Sequence, residues 1–336
     1  MNQSPLLPLR EELAAVTPYG APQLEVEARL NVNENPYSPS PEMVADIAKA
    51  VARVGTGLNR YPDRDFVELR QALADYLLLE CGHSFPVQQI WAANGSNEVM
   101  AQLLGAYAGP GRIVLGTEHS YSMYPEYVRG AHSRYVTVPR QSDFNVDLTV
   151  LTGALQDLHP SVLLLANPNN PTGTVITEAD LKQILQVAQQ TGPIIDGEST
   201  ATVVVIDEAY GEFRDSGQPS ALALLEKFPH LAVSRTMSKS FGMAGLRLGY
   251  LVAAKTIIYD IMRVRLPITC LHLPRRRLSR LCLTRANNLT SLPSCVSAEI
   301  NWLAGLQLRG MLCRKLKPIL CSLVHLKIDI KCLMTY

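Results

Sequence analysis

One lysine among small polar residues is the side chain in this sequence best suited to covalent chemistry. Lys239 lies in a Ser/Gly-rich loop that follows the run Leu231–Ser234, which predicts a buried strand. A lysine amine forms Schiff bases when it can lose its proton near neutral pH. Arg247 follows eight residues later, and its guanidinium, with the hydroxyls of Thr236 and Ser238, would suit an anion. A solvated surface lysine is the alternative.

An acidic residue at the end of a second predicted strand adds a complementary charge. Asp207 follows the β-branched run Val203–Ile206, and Tyr210 comes three residues later. A carboxylate at this place could bind Mg²⁺, cap a helix, or pair with the pyridinium nitrogen of a cofactor. The sequence has no Gly-rich loop ending in Lys-Ser or Lys-Thr, which argues against a nucleotide hydrolase.

Two turns rich in Asn, Gly and Ser complete the set of candidate residues. Asn170 lies in the turn 167–173, after the apolar run Val162–Ala166, and Ser96 and Asn97 open a predicted helix. Ligands of open α/β sheets bind beyond the carboxyl ends of the strands, and free N–H groups at a helix start can hold a phosphate. An ordinary turn and an ordinary helix cap are the alternatives.

The segments that carry these residues alternate between strands and helices. This order predicts an α/β fold with a mostly parallel central sheet covered by helices. Residues 1–30 are expected to form an N-terminal arm with a short helix. Hydrophobic periodicity predicts strands at 90–93, 112–116, 133–138, 162–166, 202–206, 231–234 and 248–252, and helices at 42–54, 64–80, 95–107 and 178–190.

The composition allows a large core and argues against several classes of protein. Hydrophobic residues make up 47% of the 336 residues, and the net charge of +1 does not favour a nucleic-acid binder. No apolar run is long enough to span a membrane, no secretory signal is seen, and the cysteine spacings fit neither a zinc site nor a redox pair. We therefore expect a cytoplasmic protein without a metal, a nucleic acid or a membrane as partner.

The order and spacing of these motifs resemble the class I/II aminotransferases of fold type I, which use pyridoxal 5'-phosphate. The resemblance spans roughly residues 25–267 and implies a cofactor-binding large domain at 31–267, of which 31–60 contribute to the small domain and the dimer contact. A finer similarity, to the histidinol-phosphate aminotransferase family, rests on Asn33-Glu34-Asn35-Pro36-Tyr37, Asn59-Arg60-Tyr61-Pro62, Ala93-Asn94-Gly95-Ser96-Asn97-Glu98 and Ser234-Arg235-Thr236-Met237-Ser238-Lys239.

The resemblance implies a role for each residue around the ring of the cofactor. Lys239 would hold the cofactor as a Schiff base and carry a proton between Cα and C4′, while Asp207 would pair with the pyridine nitrogen. Tyr210 and Asn170 would bind the phenolic oxygen, and Tyr121 would stack on the ring. Simple core packing is the alternative for Tyr121.

The resemblance also implies a phosphate site shared between two subunits. Tyr61 would reach the phosphate from the neighbouring subunit of a homodimer, with core packing again as the alternative. The residues of the same chain that would bind this phosphate are Ser96, Asn97, Thr236, Ser238 and Arg247.

The activity implied by the resemblance is transamination in histidine biosynthesis. Glutamate would give its amino group, through the cofactor, to imidazole-acetol phosphate, which yields histidinol phosphate and 2-oxoglutarate. Two alternatives keep the cofactor and change the substrate: an aromatic-amino-acid aminotransferase and a phosphothreonine decarboxylase of the same superfamily. A third alternative is an inactive remnant that only binds the cofactor.

Residues 268–336 differ from the rest of the chain in composition and depart from the resemblance. They contain 11 Lys and Arg residues, two acidic residues and six of the seven cysteines. The family continues after the match to Val264–Pro267 with a Tyr-His-Leu-Ser type sequence. A shift of one base in the coding sequence for that tetrapeptide gives Ile-Thr-Cys, the residues found at 268–270.

We therefore interpret residues 268–336 as an out-of-frame tail in place of the small C-terminal domain, which would be incomplete or absent. A divergent domain is the alternative. Sequencing the gene across the codon for Pro267 tests this interpretation, and an intact frame in related strains would reject it. Because the family's substrate-binding arginine has no match in this tail, we expect transamination to be weak or absent while cofactor binding survives.

Overall fold

Short apolar runs form a seven-stranded sheet in the protein, whose computed structural model describes residues 7–27, 31–215 and 217–266. Val, Ile and Leu dominate these runs because branched side chains pack well on a pleated surface. A separate two-stranded hairpin joins β5 (Ile194–Ile195) to β6 (Glu198–Ser199). The strands of the large sheet are β1 (Ile90–Asn94), β2 (Ile113–Thr117), β3 (Arg134–Val138), β4 (Val162–Ala166), β7 (Val203–Asp207), β8 (Leu231–Thr236) and β9 (Leu248–Ala253).

The sheet is mostly parallel, as the sequence predicts, with one reversed strand. Its order is β1-β9-β8-β7-β4-β2-β3. β9 is antiparallel to β1 and β8, and the other neighbours run parallel. The reversal brings the start of β9 to the edge where the parallel strands end: Leu248 pairs with Asn94, and Gly249 pairs with Thr236.

Helices cover the sheet and bury its strands. Every residue of β4 is buried, as expected for a parallel strand that is covered on both faces. α3 packs against β1, β8 and β9, and α7 packs against α3. The helices are α1 (Pro41–Gly55), α2 (Val67–Cys81), α3 (Ser96–Tyr107), α4 (Tyr124–Gly130), α5 (Leu148–Leu158), α6 (Glu178–Ala188) and α7 (Lys255–Val264), with short 3₁₀ helices at Glu11–Leu13, Val87–Gln89, Gly211–Phe213, Ala221–Leu224 and Ala244–Leu246.

The helix predicted at 64–80 begins three residues later than expected. Phe66 adopts a left-handed φ of 55°, and α2 starts at Val67. The Asp63 carboxylate accepts hydrogen bonds from the N–H groups of Asp65 and Val67, both at 3.1 Å. These bonds satisfy backbone donors outside the helical pattern and hold the chain in a turn before the helix begins.

The described part of the N-terminal arm contains the short 3₁₀ helix Glu11–Leu13. Residues 268–336, and the hypothesis about their reading frame, lie outside the described residues. Within the described ranges, no helix is both long enough and apolar enough to cross a membrane. The same residues contain no group of three His, Cys, Asp or Glu side chains suited to a metal ion.

Candidate active site

The edge of the sheet where the parallel strands end collects candidate residues that are far apart in the sequence. Ala166 pairs with Asp207, and Asp207 pairs with Ser234. The loops that follow β4, β7 and β8 therefore leave the sheet side by side. These three loops carry Asn170, Tyr210 and Lys239.

Lys239 is half-buried, and its amine lies close to Asn33 and Tyr210. Its Nζ donates a hydrogen bond to the carbonyl oxygen of Asn33 at 2.8 Å and lies 5.7 Å from the centre of the Tyr210 ring. Burial lowers the pKa of Lys239, although the charges of Glu34 and Asp207 act in the opposite direction. A lowered pKa leaves more of the amine neutral near pH 7, and the neutral amine is the form that attacks a carbonyl carbon.

Asp207 is the last residue of β7 and is buried with two neutral hydrogen-bond donors. The Ala209 N–H donates to its Oδ1 at 3.1 Å, and the Tyr124 hydroxyl donates to its Oδ2 at 3.2 Å. Burial raises the pKa of Asp207 to about 6, against the lowering effect of these donors and of Lys239. Because Asp207 and Lys239 each shift the pKa of the other, the structure brings the carboxylate and the amine close enough to interact.

Tyr210 is held next to Lys239 by a residue from the start of the chain. The Asn33 side chain donates to the Tyr210 hydroxyl from Nδ2 at 2.8 Å, while its backbone carbonyl accepts from Lys239. Burial raises the pKa of Tyr210, so its hydroxyl stays protonated and available as a donor at neutral pH.

Tyr121 packs close to the same carboxylate. Its ring meets the ring of Tyr124 edge to face, with centroids 5.6 Å apart. Burial raises the pKa of Tyr121 to about 12, and the Asp207 charge contributes in the same direction. An aromatic ring therefore lies near Asp207, where the resemblance implies stacking on a cofactor ring.

The turn after β4 is fixed by Asn169 rather than by the candidate Asn170. Asn169 Nδ2 donates to the His119 carbonyl at 2.9 Å and to Thr172 Oγ1 at 2.8 Å, and its Oδ1 accepts from Ser120 Oγ at 2.9 Å. Asn169 is buried, whereas Asn170 is half-buried. Asn167 Oδ1 also accepts from the Ile176 N–H at 2.9 Å. Two buried asparagines thus anchor the turn, and Asn170 stays accessible at the edge of the sheet.

Two glycines allow Arg247 and the start of α3 to come together. A Cβ atom at Gly95, whose φ is +85°, would lie 2.5 Å from Arg247 Nη2. A Cβ atom at Gly249 would lie 2.1 Å from the backbone nitrogen of Ser96. The guanidinium and the first N–H groups of α3, including that of Asn97, thus lie together at the carboxyl edge. We call this arrangement the anion cradle because its chemistry would suit an anion.

Thr236 and Ser238 border this cradle. Thr236 pairs with Gly249 across the sheet. Its Oγ1 donates to Ser238 Oγ at 3.0 Å and accepts from the Ser238 N–H at 3.2 Å. The expected phosphate-binding residues of the same chain therefore all lie at one end of strands β8 and β9 and at the start of α3.

The close approach at Gly249 leads to a prediction about stability. Replacing Gly249 with alanine should lower the free energy of unfolding by at least about 2 kcal/mol, because the added methyl group meets backbone atoms that cannot move without shifting α3. Urea denaturation measures this change. The matched control is Gly245→Ala, where no atom lies within 4 Å of the added Cβ, and equal stability of the two variants would contradict the prediction.

Comparison with known proteins decides the family. The family model described as aminotransferase class I and II matches residues 27–280. A histidinol-phosphate aminotransferase of Bifidobacterium adolescentis is 50% identical over 261 residues, which cover 78% of this chain and 67% of that protein. The chain belongs to the class I and II aminotransferases. Its expected assignment as an aminotransferase enzyme is thereby confirmed, while the level of activity of this chain stays a prediction.

Further relatives of this aminotransferase agree in sequence and in fold. A histidinol-phosphate aminotransferase of Thermobifida fusca is 48% identical over 301 residues, or 88% of this chain and 77% of that protein. The solved structure of histidinol-phosphate aminotransferase from Sinorhizobium meliloti in complex with pyridoxal-5'-phosphate has a TM-score of 0.65 at 24% identity, and the match covers 80% of this chain and 67% of that chain. The resemblance and the fold type I architecture predicted from the sequence are confirmed.

Tyr61 is strongly exposed in this aminotransferase. Its side chain is 83% exposed and follows α1, outside the loops at the carboxyl edge. The alternative that Tyr61 packs in the core is therefore wrong. Its contact with a neighbouring subunit stays a prediction.

Three residues of the aminotransferase site received no role from the sequence. Asn33, Asn35 and Tyr124 contact Lys239, Tyr210 or Asp207 directly. The two asparagines belong to the motif Asn33–Tyr37, on which the resemblance partly rests. This motif indicated the family, but its residues received no function from the sequence. Tyr124 gave no signal, because a tyrosine near an aromatic loop is most simply explained as core packing.

Proposed function

We propose that this aminotransferase binds pyridoxal 5'-phosphate and transfers an amino group between histidinol phosphate and 2-oxoglutarate in histidine biosynthesis. The observation that carries the cofactor assignment is that the buried Asp207 and the half-buried Lys239 lie where the neighbouring strands β7 and β8 end, with Arg247 and the start of α3 at the same edge of the sheet. The substrate assignment comes from the relatives, which are named as histidinol-phosphate aminotransferases and reach 50% identity.

The Asp207 carboxylate fits a cationic partner. Its hydrogen-bond donors among the described residues, the Ala209 N–H and the Tyr124 hydroxyl, are both neutral. Since burial raises its pKa to about 6, a cation placed against it would favour the ionised form and make a charge-assisted hydrogen bond. The protonated nitrogen of a pyridine ring is such a cation.

The anion cradle fits the phosphate of the same cofactor. Glycines at 95 and 249 let Arg247 and the backbone of Ser96 approach closely, where a Cβ atom would clash with them. A helix N-terminus and a guanidinium both favour a dianion. The residues proposed to bind the phosphate are Ser96, Asn97, Thr236, Ser238 and Arg247, with Tyr61 from the second subunit.

Each residue near Lys239 has a distinct part in the proposed reaction. Pyridoxal phosphate, when bound, supplies an electron-accepting ring that makes cleavage of a Cα–H bond feasible. The lowered pKa of Lys239 would let its Nζ hold the cofactor aldehyde and move the proton of the substrate. Asp207 would pair with the ring nitrogen, Tyr210 and Asn170 would donate to the phenolic oxygen, and Tyr121 would cover the ring.

The proposal includes a homodimer and a cytoplasmic location. Exposure of 83% at Tyr61 leaves this side chain free to contact a second copy of the chain. We propose residues 31–267 as the cofactor-binding large domain, with 31–60 contributing to the contact between subunits and 1–30 as an arm. Cys81, a free thiol, fits a compartment in which thiols stay reduced.

Colour and a substrate panel together test the proposal. The purified protein with pyridoxal phosphate should absorb in the visible range. It should form glutamate from histidinol phosphate and 2-oxoglutarate only slowly, because the family's substrate-binding arginine has no match in residues 268–336. We expect kcat/KM for histidinol phosphate to exceed that for phenylalanine or tyrosine at least about tenfold, because buried polar groups reject a substrate that leaves them unpaired.

Each assay has an outcome that would reject part of the proposal. Failure to absorb in the visible range after addition of pyridoxal phosphate would reject the cofactor. Faster turnover of an aromatic amino acid, or release of CO₂ from phosphothreonine, would replace the proposed substrate while leaving the cofactor in place.

A further inference from the structure

A cluster of buried charged side chains connects the residue after Asp207 to the residue after Lys239. Arg235 and Glu208 are both fully buried, and a charged group is taken out of water at a large desolvation penalty. Members of this buried ionic cluster are Glu80, Glu208, Glu212, Arg214 and Arg235.

Four side chains within and beside the cluster form a continuous path. Arg235 Nη2 lies 2.7 Å from Glu208 Oε2, and Arg235 Nη1 donates to Glu212 Oε1 at 3.2 Å. Ser240 Oγ then donates to Glu212 Oε2 at 3.1 Å. The path therefore starts at the backbone neighbour of Asp207 and ends at the backbone neighbour of Lys239.

Lys239 and Ser240 are held from a second direction by Asn35. Its Nδ2 donates to the carbonyl oxygens of Lys239 at 3.2 Å and of Ser240 at 3.3 Å. Because Ser240 is itself buried, the side chains of Glu212 and Asn35 together fix the backbone that carries the amine. Binding a cofactor through Lys239 does not by itself require the hydrogen bond between Ser240 and Glu212. This hydrogen bond therefore needs a separate explanation.

Stability alone is a weak reason for such a cluster. Buried ion pairs are often no more stabilising than well-packed apolar residues of similar volume. A connected set of ionic hydrogen bonds, however, allows few alternative geometries, because each guanidinium presents its donors in a fixed plane. This rigidity suits a place where two functional groups on different strands must keep a fixed separation.

We propose that Ser240, Glu212 and Arg235 are positioning residues that hold the Lys239 amine at a fixed place relative to the Asp207 carboxylate. The use of this amine and carboxylate in catalysis rests on the proposed function. The placement itself is a property of the protein without its cofactor, and it can be measured there.

Two serines that donate hydrogen bonds to carboxylates of the buried ionic cluster provide a matched pair of variants. Ser240→Ala removes the hydroxyl that donates to Glu212 and lies next to Lys239. Ser220→Ala removes a hydroxyl that donates to Glu208 Oε2 at 2.7 Å and accepts from Arg235 Nη2 at 3.0 Å. Both serines are buried, but Ser220 is adjacent to neither functional residue in the chain. Each variant leaves one cluster carboxylate short of one donor.

The first measurement is the rate at which pyridoxal phosphate couples to Lys239 in the full chain. Coupling forms a C=N bond between Nζ and the aldehyde carbon and releases the aldehyde oxygen as water, and the visible absorbance follows it. Ser240→Ala should lower the second-order rate constant at least about tenfold, since small displacements of a reacting group carry large rate penalties. Ser220→Ala leaves the contacts from Arg235 through Glu212 to Ser240 in place and should therefore change the rate far less.

The second measurement is the pKa of Lys239 in the cofactor-free chain, from the pH dependence of its labelling by acetic anhydride. Burial lowers this pKa, Glu34 and Asp207 raise it, and Arg247 lowers it. Neither variant replaces any of these groups. If Ser240→Ala loosens the loop, water reaches the amine and its pKa should rise by about half a unit or more, while Ser220→Ala should leave it unchanged.

The outcomes separate positioning from a merely structural role. Equal melting temperatures of the two variants, with slower coupling and a raised Lys239 pKa only in Ser240→Ala, support the proposal. Equal effects in both variants, or wild-type behaviour of Ser240→Ala, overturn it.

If Ser240→Ala does not fold, Glu212→Gln keeps the side-chain size and should show the same two changes. A wild-type protein that takes up no pyridoxal phosphate rejects the proposed function, and the labelling experiment still decides the positioning role.

Discussion

Replacing Lys239 with alanine should abolish the visible absorbance of the protein with pyridoxal phosphate and lower kcat at least about 10⁴-fold. The variant loses both the amine that bonds to the cofactor and the group that moves the substrate proton. Nζ of Lys239 donates to Asn33 and lies near the Tyr210 ring. Absorbance spectra and steady-state kinetics with histidinol phosphate measure the two losses.

Lys227→Ala is the control for this experiment. Lys227 is an exposed lysine whose Nζ lies over the ring of Phe228, so its removal should change neither the colour nor the rate. A Lys239→Ala variant that stays yellow after dialysis and keeps its turnover would show that another amine holds the cofactor. It would also remove the observation on which the proposed function depends.

Replacing Asp207 with asparagine should lower kcat on the order of 10²–10³-fold. Asparagine has the same shape but cannot hold a positive charge on the ring nitrogen. Breaking one side of a buried charge pair is worth about 3–5 kcal/mol, and about 1.4 kcal/mol corresponds to a factor of ten in rate. Steady-state kinetics at saturating pyridoxal phosphate measure this loss, and Asp157→Asn on the exposed side of α5 is the control.

The same variant gives a second result that does not depend on activity. Burial raises the pKa of Asp207 from 3.8 to about 6 in the folded chain without cofactor. The folded state therefore binds more protons than the unfolded state between these values, and the free energy of unfolding falls as the pH rises through this window. Asp207→Asn lacks this contribution.

Urea denaturation of the cofactor-free proteins from pH 4 to pH 7 measures the difference. The stability of Asp207→Asn relative to the wild type should increase with pH and level off above pH 6. Parallel stability curves for the two proteins would show that the carboxylate is not protonated by burial. The argument for a cationic partner at Asp207 would then lose its support.

The position of the described site has a simple origin in the fold. β4, β7 and β8 run parallel and in register, with Ala166, Asp207 and Ser234 side by side. Side chains in the loops after these strands must therefore meet at one edge. β9 runs in the opposite direction and therefore begins at that edge. Arg247, the residue before β9, lies there next to the start of α3. One reversed strand thus completes the phosphate end of the site.

The sequence by itself determined which strands form the sheet and which residues follow them. Val162–Ala166 and Val203–Ile206 are apolar throughout, because a parallel strand covered on both faces must bury every side chain. Chemistry-bearing residues placed directly after such runs can only lie at the carboxyl edge. Local pattern placed Lys239, Asp207 and Tyr210 at or after the ends of predicted strands, and the family resemblance implied that these three residues share one site.

Only the tertiary structure decided what surrounds these neighbours. Asn33 reaches Lys239 and Tyr210 across about two hundred residues of chain, and Tyr124 reaches Asp207 from the start of α4. Arg235 sits within a buried strand because Glu208 and Glu212 come to it from another part of the fold. Contacts of this kind depend on the packing of distant segments, and hydrophobic periodicity carries information about one segment at a time.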